Sequence, residues 1–155
     1  MKIKSIGSAT KRQLDAIFET YNKTFPKSPW SRSYFDSFLF SSKGRAGFFM
    51  LNRNNNLCGF ILGKKQAGAS DEFNLSALWV NKNCRSKGHA NALMEKFISE
   101  TSKKTEKMYL HFRDSNNLQA FYSKFGFINH RIDGQYKNGE PKHYMELKIR
   151  RKSLS

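Results

Sequence analysis

The chain has 155 residues, 38% apolar and 14% aromatic, which is material for one domain over residues 1–155 with a sizeable core and excludes a disordered chain. No run reaches the roughly eighteen apolar residues a membrane helix needs, and the opening MKIKSIGSATKRQL lacks the apolar core of a secretion signal, so a cytoplasmic protein with no membrane partner is expected. Lys and Arg number 28 against 12 Asp and Glu, a formal net charge of +16, which suits either an acidic partner (nucleic acid, a ribosome, an anionic cofactor) or a merely well-solvated surface.

Met1 to Ile6 alternates polar and apolar residues and predicts an edge strand. Ser8 or Thr10 can cap a helix whose Leu14, Ile17, Phe18 and Tyr21 share one face, and Pro26 ends it near Phe25. A proline-punctuated loop, Phe25 to Ser31, follows. Ser31 or Ser33 then caps a second helix carrying Phe35, Phe38 and Leu39. Gly47 to Leu51 and Leu57 to Leu62 are apolar runs joined by the turn-forming Asn52 to Asn56, the pattern of an antiparallel hairpin. Cys58 lies in the second of these strands. With Cys84 it makes no disulfide framework, and the two read as reduced thiols of a cytosolic protein.

Lys64 to Ser70 is polar and contains glycine, and reads as a loop. Glu72 to Val80 is the next strand, with the short apolar run Ala77, Leu78, Trp79 and Val80 at its end. After the polar break Asn81 to Cys84 comes the basic, glycine-containing stretch Arg85-Ser86-Lys87-Gly88-His89-Ala90. From there Ala90, Leu93, Met94, Phe97 and Ile98 recur at helical spacing to about Ser102. A helix start presents unpaired N–H groups and the positive end of its dipole. With Gly88 and Ala90 offering no bulk, a phosphate could approach the backbone there.

Lys103 to Lys107 links to a strand, Met108 to Phe112. Ser115 or Asn116 opens a short helix with Leu118, Phe121 and Tyr122, which Gly126 stops. Phe127 to Arg131 starts another strand, and the Asn138-Gly139 turn precedes a last strand, His143 to Ile149. There are no internal repeats, and no zinc-ligand spacing or RNA-binding signature. The whole reads as one compact α+β domain without a metal site.

Two stretches of this chain resemble one superfamily. Arg85-x-x-Gly88-x-Ala90 is similar to the Arg/Gln-x-x-Gly-x-Gly/Ala signature of the GCN5-related N-acetyltransferases, the GNAT superfamily. Asn116 to Phe127, ending in Tyr122-Ser123-Lys124-Phe125-Gly126-Phe127, resembles that family's second signature. The order of elements is also the GNAT order, so the resemblance covers nearly the whole chain. It implies a mixed central sheet with flanking helices and splayed central strands. It implies acetyl-CoA as co-substrate, its pyrophosphate held at Arg85, Ser86, Lys87, Gly88, His89, Ala90 and Asn91. Its pantetheine arm would follow the backbone of Leu78, Trp79 and Val80, with the N–H of Leu78 or Val80 near the thioester carbonyl. Asn116, Tyr122 and Lys124 would complete the cofactor side, and Tyr122 matches the family's acid for the departing thiolate.

Within the superfamily, Phe25-Pro26 followed by Pro29-Trp30-Ser31 resembles a loop of RimI-type enzymes, which acetylate ribosomal-protein N-termini. Those enzymes carry Glu where this chain has His111. The general base is therefore expected at His111, by position, with Glu72 at the head of the central strand second. Direct transfer needs no nucleophile, so Cys84 has no predicted role in the chemistry. The expected acceptor is a primary amine of a protein or peptide. The alternatives are a small-molecule amine, such as a polyamine or an antibiotic, or a non-catalytic basic module that binds nucleic acid on the same fold.

Overall fold

The computed structural model describes residues 2–39, 44–66, 72–85 and 88–149. Ser86 and Lys87, most of the loop expected after Lys64, and the basic cluster beyond residue 149 lie outside the described residues.

The strands are β1 (Ile3–Ser5), β2 (Arg45–Leu51), β3 (Leu57–Lys65), β4 (Glu72–Val80), β5 (Lys107–Arg113), β6 (Ile128–Gln135) and β7 (Pro141–Lys148). They form a single seven-stranded sheet in the order β1-β2-β3-β4-β5-β7-β6. Every neighbouring pair is antiparallel except β4 and β5, which are parallel. The helices are α1 (Lys11–Thr24), α2 (Arg32–Asp36), α3 (His89–Thr101) and α4 (Gln119–Ser123).

Local chemistry sets the boundaries. Thr10 caps α1 in a reciprocal box: its hydroxyl accepts from the Gln13 N–H at 3.1 Å, and the Gln13 amide oxygen accepts from the Thr10 N–H at 2.9 Å. Ser31 caps α2 by accepting from the Tyr34 N–H. This helix is shorter than its aromatic spacing predicts, and Phe38 and Leu39 follow it in turns. Asn52 holds the β2–β3 hairpin, its side-chain oxygen accepting from the N–H groups of Asn54 and Asn56. β6 runs four residues past the expected Arg131, with two register shifts where Asn129 and Gly134 take positive φ.

The sheet is buried on both faces. On one, Leu93, Met94 and Phe97 of α3 are fully buried against Ile61, Phe73 and Met108. Each such side chain contributes about 1.5–3 kcal/mol. On the other, Ile17 and Tyr21 of α1 and Phe35 of α2 cover Phe49, Phe60 and Leu62. β4 changes faces midway. Leu62 pairs with Ala77 but Gly63 pairs with Leu75, so Ser76 is an extra residue, a β-bulge. Phe73 and Leu75 therefore face α3, while Ala77 and Trp79 pack on the α1 side.

β3 carries its own bulge. Met50 pairs with Gly59 and Leu51 with Leu57, leaving Cys58 as the extra residue. Its side chain turns to the α3 face, away from that of Phe60 and Leu62. There it forms a disulfide with Cys84, the two Cα atoms 6.2 Å apart. The expectation of two reduced thiols is thus corrected. The β3–β4 ladder sets Gly59 beside Val80, and the Asn81 N–H donates to the Cys58 carbonyl at 2.7 Å, which brings the next turn back over Cys58.

Gly63 marks the tightest approach of α3 to the sheet. A Cβ there would lie 2.4 Å from Cζ of Phe97 and 2.6 Å from the carbonyl oxygen of Asn74. The backbone contact cannot be relieved by a rotamer change. Gly63→Ala is expected to lower unfolding stability by about 2–3 kcal/mol, the upper range for overpacking, as read by urea denaturation. A change below about 0.5 kcal/mol contradicts this packing.

Candidate active site

Only three residue pairs join β4 to β5: Glu72 with Lys107, Phe73 with Met108, and Asn74 with Tyr109. Beyond them the strands diverge. The split opens into a cavity of about 420 Å³. Its walls come from Asn74 to Leu78 on β4, His111 to Arg113 on β5, and Tyr122 and Leu118 from α4 and the residue before it. The remainder comes from the end of α1, the α1–α2 loop, Tyr34 of α2, Ser115 and Asn116, and Tyr136 of the β6–β7 hairpin.

The cavity has two chemically different ends. On the α3 side lies Tyr122, buried among Phe112, Phe121 and Phe127. Burial pushes its phenol up to about 12, so it stays protonated through the neutral range. On the same face of the sheet, α3 begins at Gly88, which has φ +79° and a left-handed conformation suited to glycine. Among the described residues no side chain caps this 13-residue helix, so a first turn of N–H groups is offered to an anion. A Cβ on Gly88 would meet nothing within 4 Å, so a phosphate can come close to the backbone. His89 is turned inward, its Nδ1 2.8 Å from the Cys84 carbonyl oxygen, and Arg85 donates from Nε to the Val80 carbonyl at 3.2 Å. Ala90 and Asn91 form the first turn of α3, Asn116 lines the cavity, and Lys124 follows α4 with its ammonium 5.1 Å from the Phe121 ring centre. Of the three residues expected along the pantetheine arm, Leu78 lines the cavity. Trp79 stacks on Phe60 across the sheet, and Val80 is buried toward α3.

The opposite end is aromatic. Trp30 stacks on Tyr21 with ring centres 3.6 Å apart, and Asn22 clamps Trp30 through two hydrogen bonds to its backbone. Tyr34, Phe25 and Tyr136 complete this wall. Arg113 ties it together. Its guanidinium donates to Glu140 at 3.1 Å and to the Ser28 hydroxyl at 2.8 Å, and lies 3.9 Å from the Tyr136 ring centre. Hydrogen bonds from Ser115, then Arg113, hold the Glu140 carboxyl down to about 2.

His111 points toward this second end, and its Nε2 lies 3.0 Å from Oδ2 of Asp133 on β6. That bond holds the Asp133 carboxyl below the usual carboxylate range. Sequence reasoning found His111 but not Asp133, because the pairing runs across three strands. Glu72 does not join it. It lies at the closed end of the β4–β5 ladder, 3.0 Å from the Lys107 ammonium, and does not line the cavity. Its hydrogen bond is the largest influence raising Lys107 above its ordinary value. Trp30 was marked only by the RimI-like loop around it, while Arg113 and Tyr136 carried no more than the signal of a cation and an aromatic near turns. Among the described residues, three potential metal-ligand side chains come together once, at Cys58, Cys84 and His89, and the disulfide ties up both sulfurs.

Residues 10–149 match the family described as acetyltransferase (GNAT) domain. A comparison with curated proteins gave no match. Among solved structures, the ribosomal-protein-S18-alanine N-acetyltransferase from Escherichia coli is 23% identical, with a TM-score of 0.76 over 99% of this chain and 97% of that one. NAA60 of Arabidopsis thaliana, in complex with a bisubstrate analogue, is 16% identical, with a TM-score of 0.76 over 96% and 98%. An aminoglycoside 6'-N-acetyltransferase complexed with coenzyme A is 17% identical, with a TM-score of 0.75 over 98% and 99%.

Proposed function

Because the chain belongs to the acetyltransferase (GNAT) family, we propose that it transfers acetyl from acetyl-CoA to a primary amine of a protein or peptide, by direct attack in the split between β4 and β5. The observation that carries this reading is one cavity with Tyr122 at one end and His111 at the other. In this proposal the open start of α3 takes the pyrophosphate, and the free edge of β4 near Leu78 takes the pantetheine arm. The acceptor enters past Trp30 and Tyr136. A neutral amine attacks the thioester carbon, a C–N bond forms, and a backbone N–H of β4 meets the oxyanion. His111, held by Asp133, takes the amine proton. The C–S bond then breaks and Tyr122 protonates the thiolate.

The lining chemistry favours a peptide over a polycation. No carboxylate lines the cavity among the described residues, while Lys27 and Arg113 do. The carboxylates nearby are already paired: Asp133 with His111, Glu140 with Arg113, and Glu72 with Lys107. An aminoglycoside or polyamine would find no carboxylate in the cavity lining among the described residues and would meet a chain of net charge +16. Acetylation of a panel of peptide N-termini, peptide lysines, spermidine and an aminoglycoside tests this. Peptide turnover is expected to dominate, and faster acetylation of either polycation overturns the acceptor reading. A cytoplasmic setting belongs to the same proposal. No helix among the described residues is long and apolar enough to cross a membrane. Nothing among them favours the non-catalytic nucleic-acid alternative or a particular acidic partner.

The base is tested by pH–rate profiles with one fixed peptide acceptor. Only a neutral imidazole can take the amine proton. His111→Ala is expected to cost about 10²-fold in rate, while Glu72→Gln leaves rate and profile unchanged. The acceptor amine contributes its own limb, near 8 for an α-amine and near 10.4 for a lysine. An unchanged profile in His111→Ala removes His111 as base and leaves a route through water.

A further inference from the structure

We propose that the Cys58–Cys84 disulfide is a thiol-responsive clasp that sets acetyl-CoA affinity; this rests on the acetyltransferase reading above. The bridge joins β3 to the turn Lys82–Cys84, which precedes Arg85 and the Gly88 start of α3. Its position is specific. Cys58 reaches Cys84 because it is the bulged residue of β3 and so faces α3. Cys84 in turn is tied forward, its carbonyl held by the His89 ring. The closed bridge therefore fixes both the approach to the phosphate-binding loop and the first residue of the helix beyond it.

The same cluster is built for exchange. One ring nitrogen of His89 lies within 4.8 Å of both sulfurs, so a group able to give or take a proton stands beside the bond that would break. Cys84 is 9% exposed and Cys58 only 1%, so Cys84 is the residue nearer solvent and the side from which we place the attack. A low-molecular-weight thiolate attacks that sulfur, and a mixed disulfide forms there. The Cys58–Cys84 bond breaks, and its electron pair leaves on the Cys58 sulfur, which takes a proton. A second thiol displaces the first as a small-molecule disulfide and frees Cys84. Two small thiols are oxidised and one protein disulfide is reduced. In a reducing cytoplasm such a pair is a sensor rather than a permanent staple. Opening it frees the turn Lys82–Cys84 from β3, and the chain's approach to the start of α3 is no longer fixed for the pyrophosphate.

The test is calorimetric titration of wild type with acetyl-CoA, once after oxidation and once after reduction with dithiothreitol, with alkylation and mass spectrometry counting free thiols. The oxidised protein is expected to carry no alkylatable thiol and to bind about fivefold or more tightly than the reduced form, the lower end of ordinary coupling. Linkage then requires saturating acetyl-CoA to make the disulfide harder to reduce by the same factor, which a dithiothreitol redox titration reads independently. Cys84→Ser is expected to bind like the reduced protein and to ignore both reagents. If that variant does not fold, the two wild-type titrations still decide. Equal affinity in both redox states, or free thiols after oxidation, overturns the clasp and leaves the acetyltransferase reading intact. Absence of binding in both states overturns that reading and the clasp with it.

Discussion

Gly88→Glu is expected to raise the dissociation constant for acetyl-CoA by at least about 100-fold while leaving the protein folded. Two effects act together at the start of α3. The residue needs φ +79°, which costs a side-chain-bearing residue about 1–2 kcal/mol. The new carboxylate then competes for the N–H groups and dipole that would receive the pyrophosphate. The unliganded fold is spared further harm, because a Cβ there touches nothing within 4 Å. Thermal shift provides the measurement. Ligand at one hundred times its dissociation constant stabilises wild type by about 2.7 kcal/mol, and the variant is expected to gain at most about 0.4 kcal/mol at that concentration. Gly88→Ala separates the effects, since it adds strain without charge. Wild-type affinity in folded Gly88→Glu removes this helix start from the cofactor site.

Tyr122→Phe is expected to lower turnover by about 10²-fold or more with little change in acetyl-CoA affinity. The ring keeps its contacts with Phe112, Phe121 and Phe127, so packing is conserved and only the proton donor is lost. Because burial holds the phenol up at about 12, its ionisation contributes no falling limb to the rate below about pH 11. A rate decline near pH 9 in wild type that vanishes in Tyr122→Phe contradicts that environment. Turnover within about twofold of wild type shows that another donor protonates the thiolate.

Much of the architecture was legible because the chain punctuates it locally. Pro26 ends α1, Asn52 to Asn56 turn the hairpin, and Gly126 and Asn138-Gly139 close the later elements. The alternation of β5 was equally clear, with Met108, Leu110 and Phe112 buried and His111 turned the other way. β6 was harder, since nearly all of it is exposed and its register slips twice, so no alternation marks where it ends. The bulges were invisible for a different reason. Whether Cys58 faces α1 or α3 depends on one extra residue relative to β2, and that count belongs to the pairing of two strands. The disulfide inherits this opacity, as do the His111–Asp133 and Arg113–Glu140 bonds, which join side chains 22 and 27 positions apart. Glu72 illustrates the converse. Its place at the head of the central strand was read correctly, but cavity access depends on where β4 and β5 part, and they part after Asn74.

Arg113 gives this division of labour a practical consequence. In the proposed reading the cofactor end belongs to β4, α4 and the start of α3, whereas the acceptor end belongs to the α1–α2 loop and the β6–β7 hairpin, which the Arg113 guanidinium joins to each other. Those two segments can exchange residues without disturbing the start of α3 or the surroundings of Tyr122. Acceptor preference can therefore drift or be re-engineered as a detachable trait, by grafting residues 25–31 and 136–140 together from one enzyme to another. Grafting either segment alone leaves Arg113 with one mismatched partner, so productive chimeras should arise from paired exchanges.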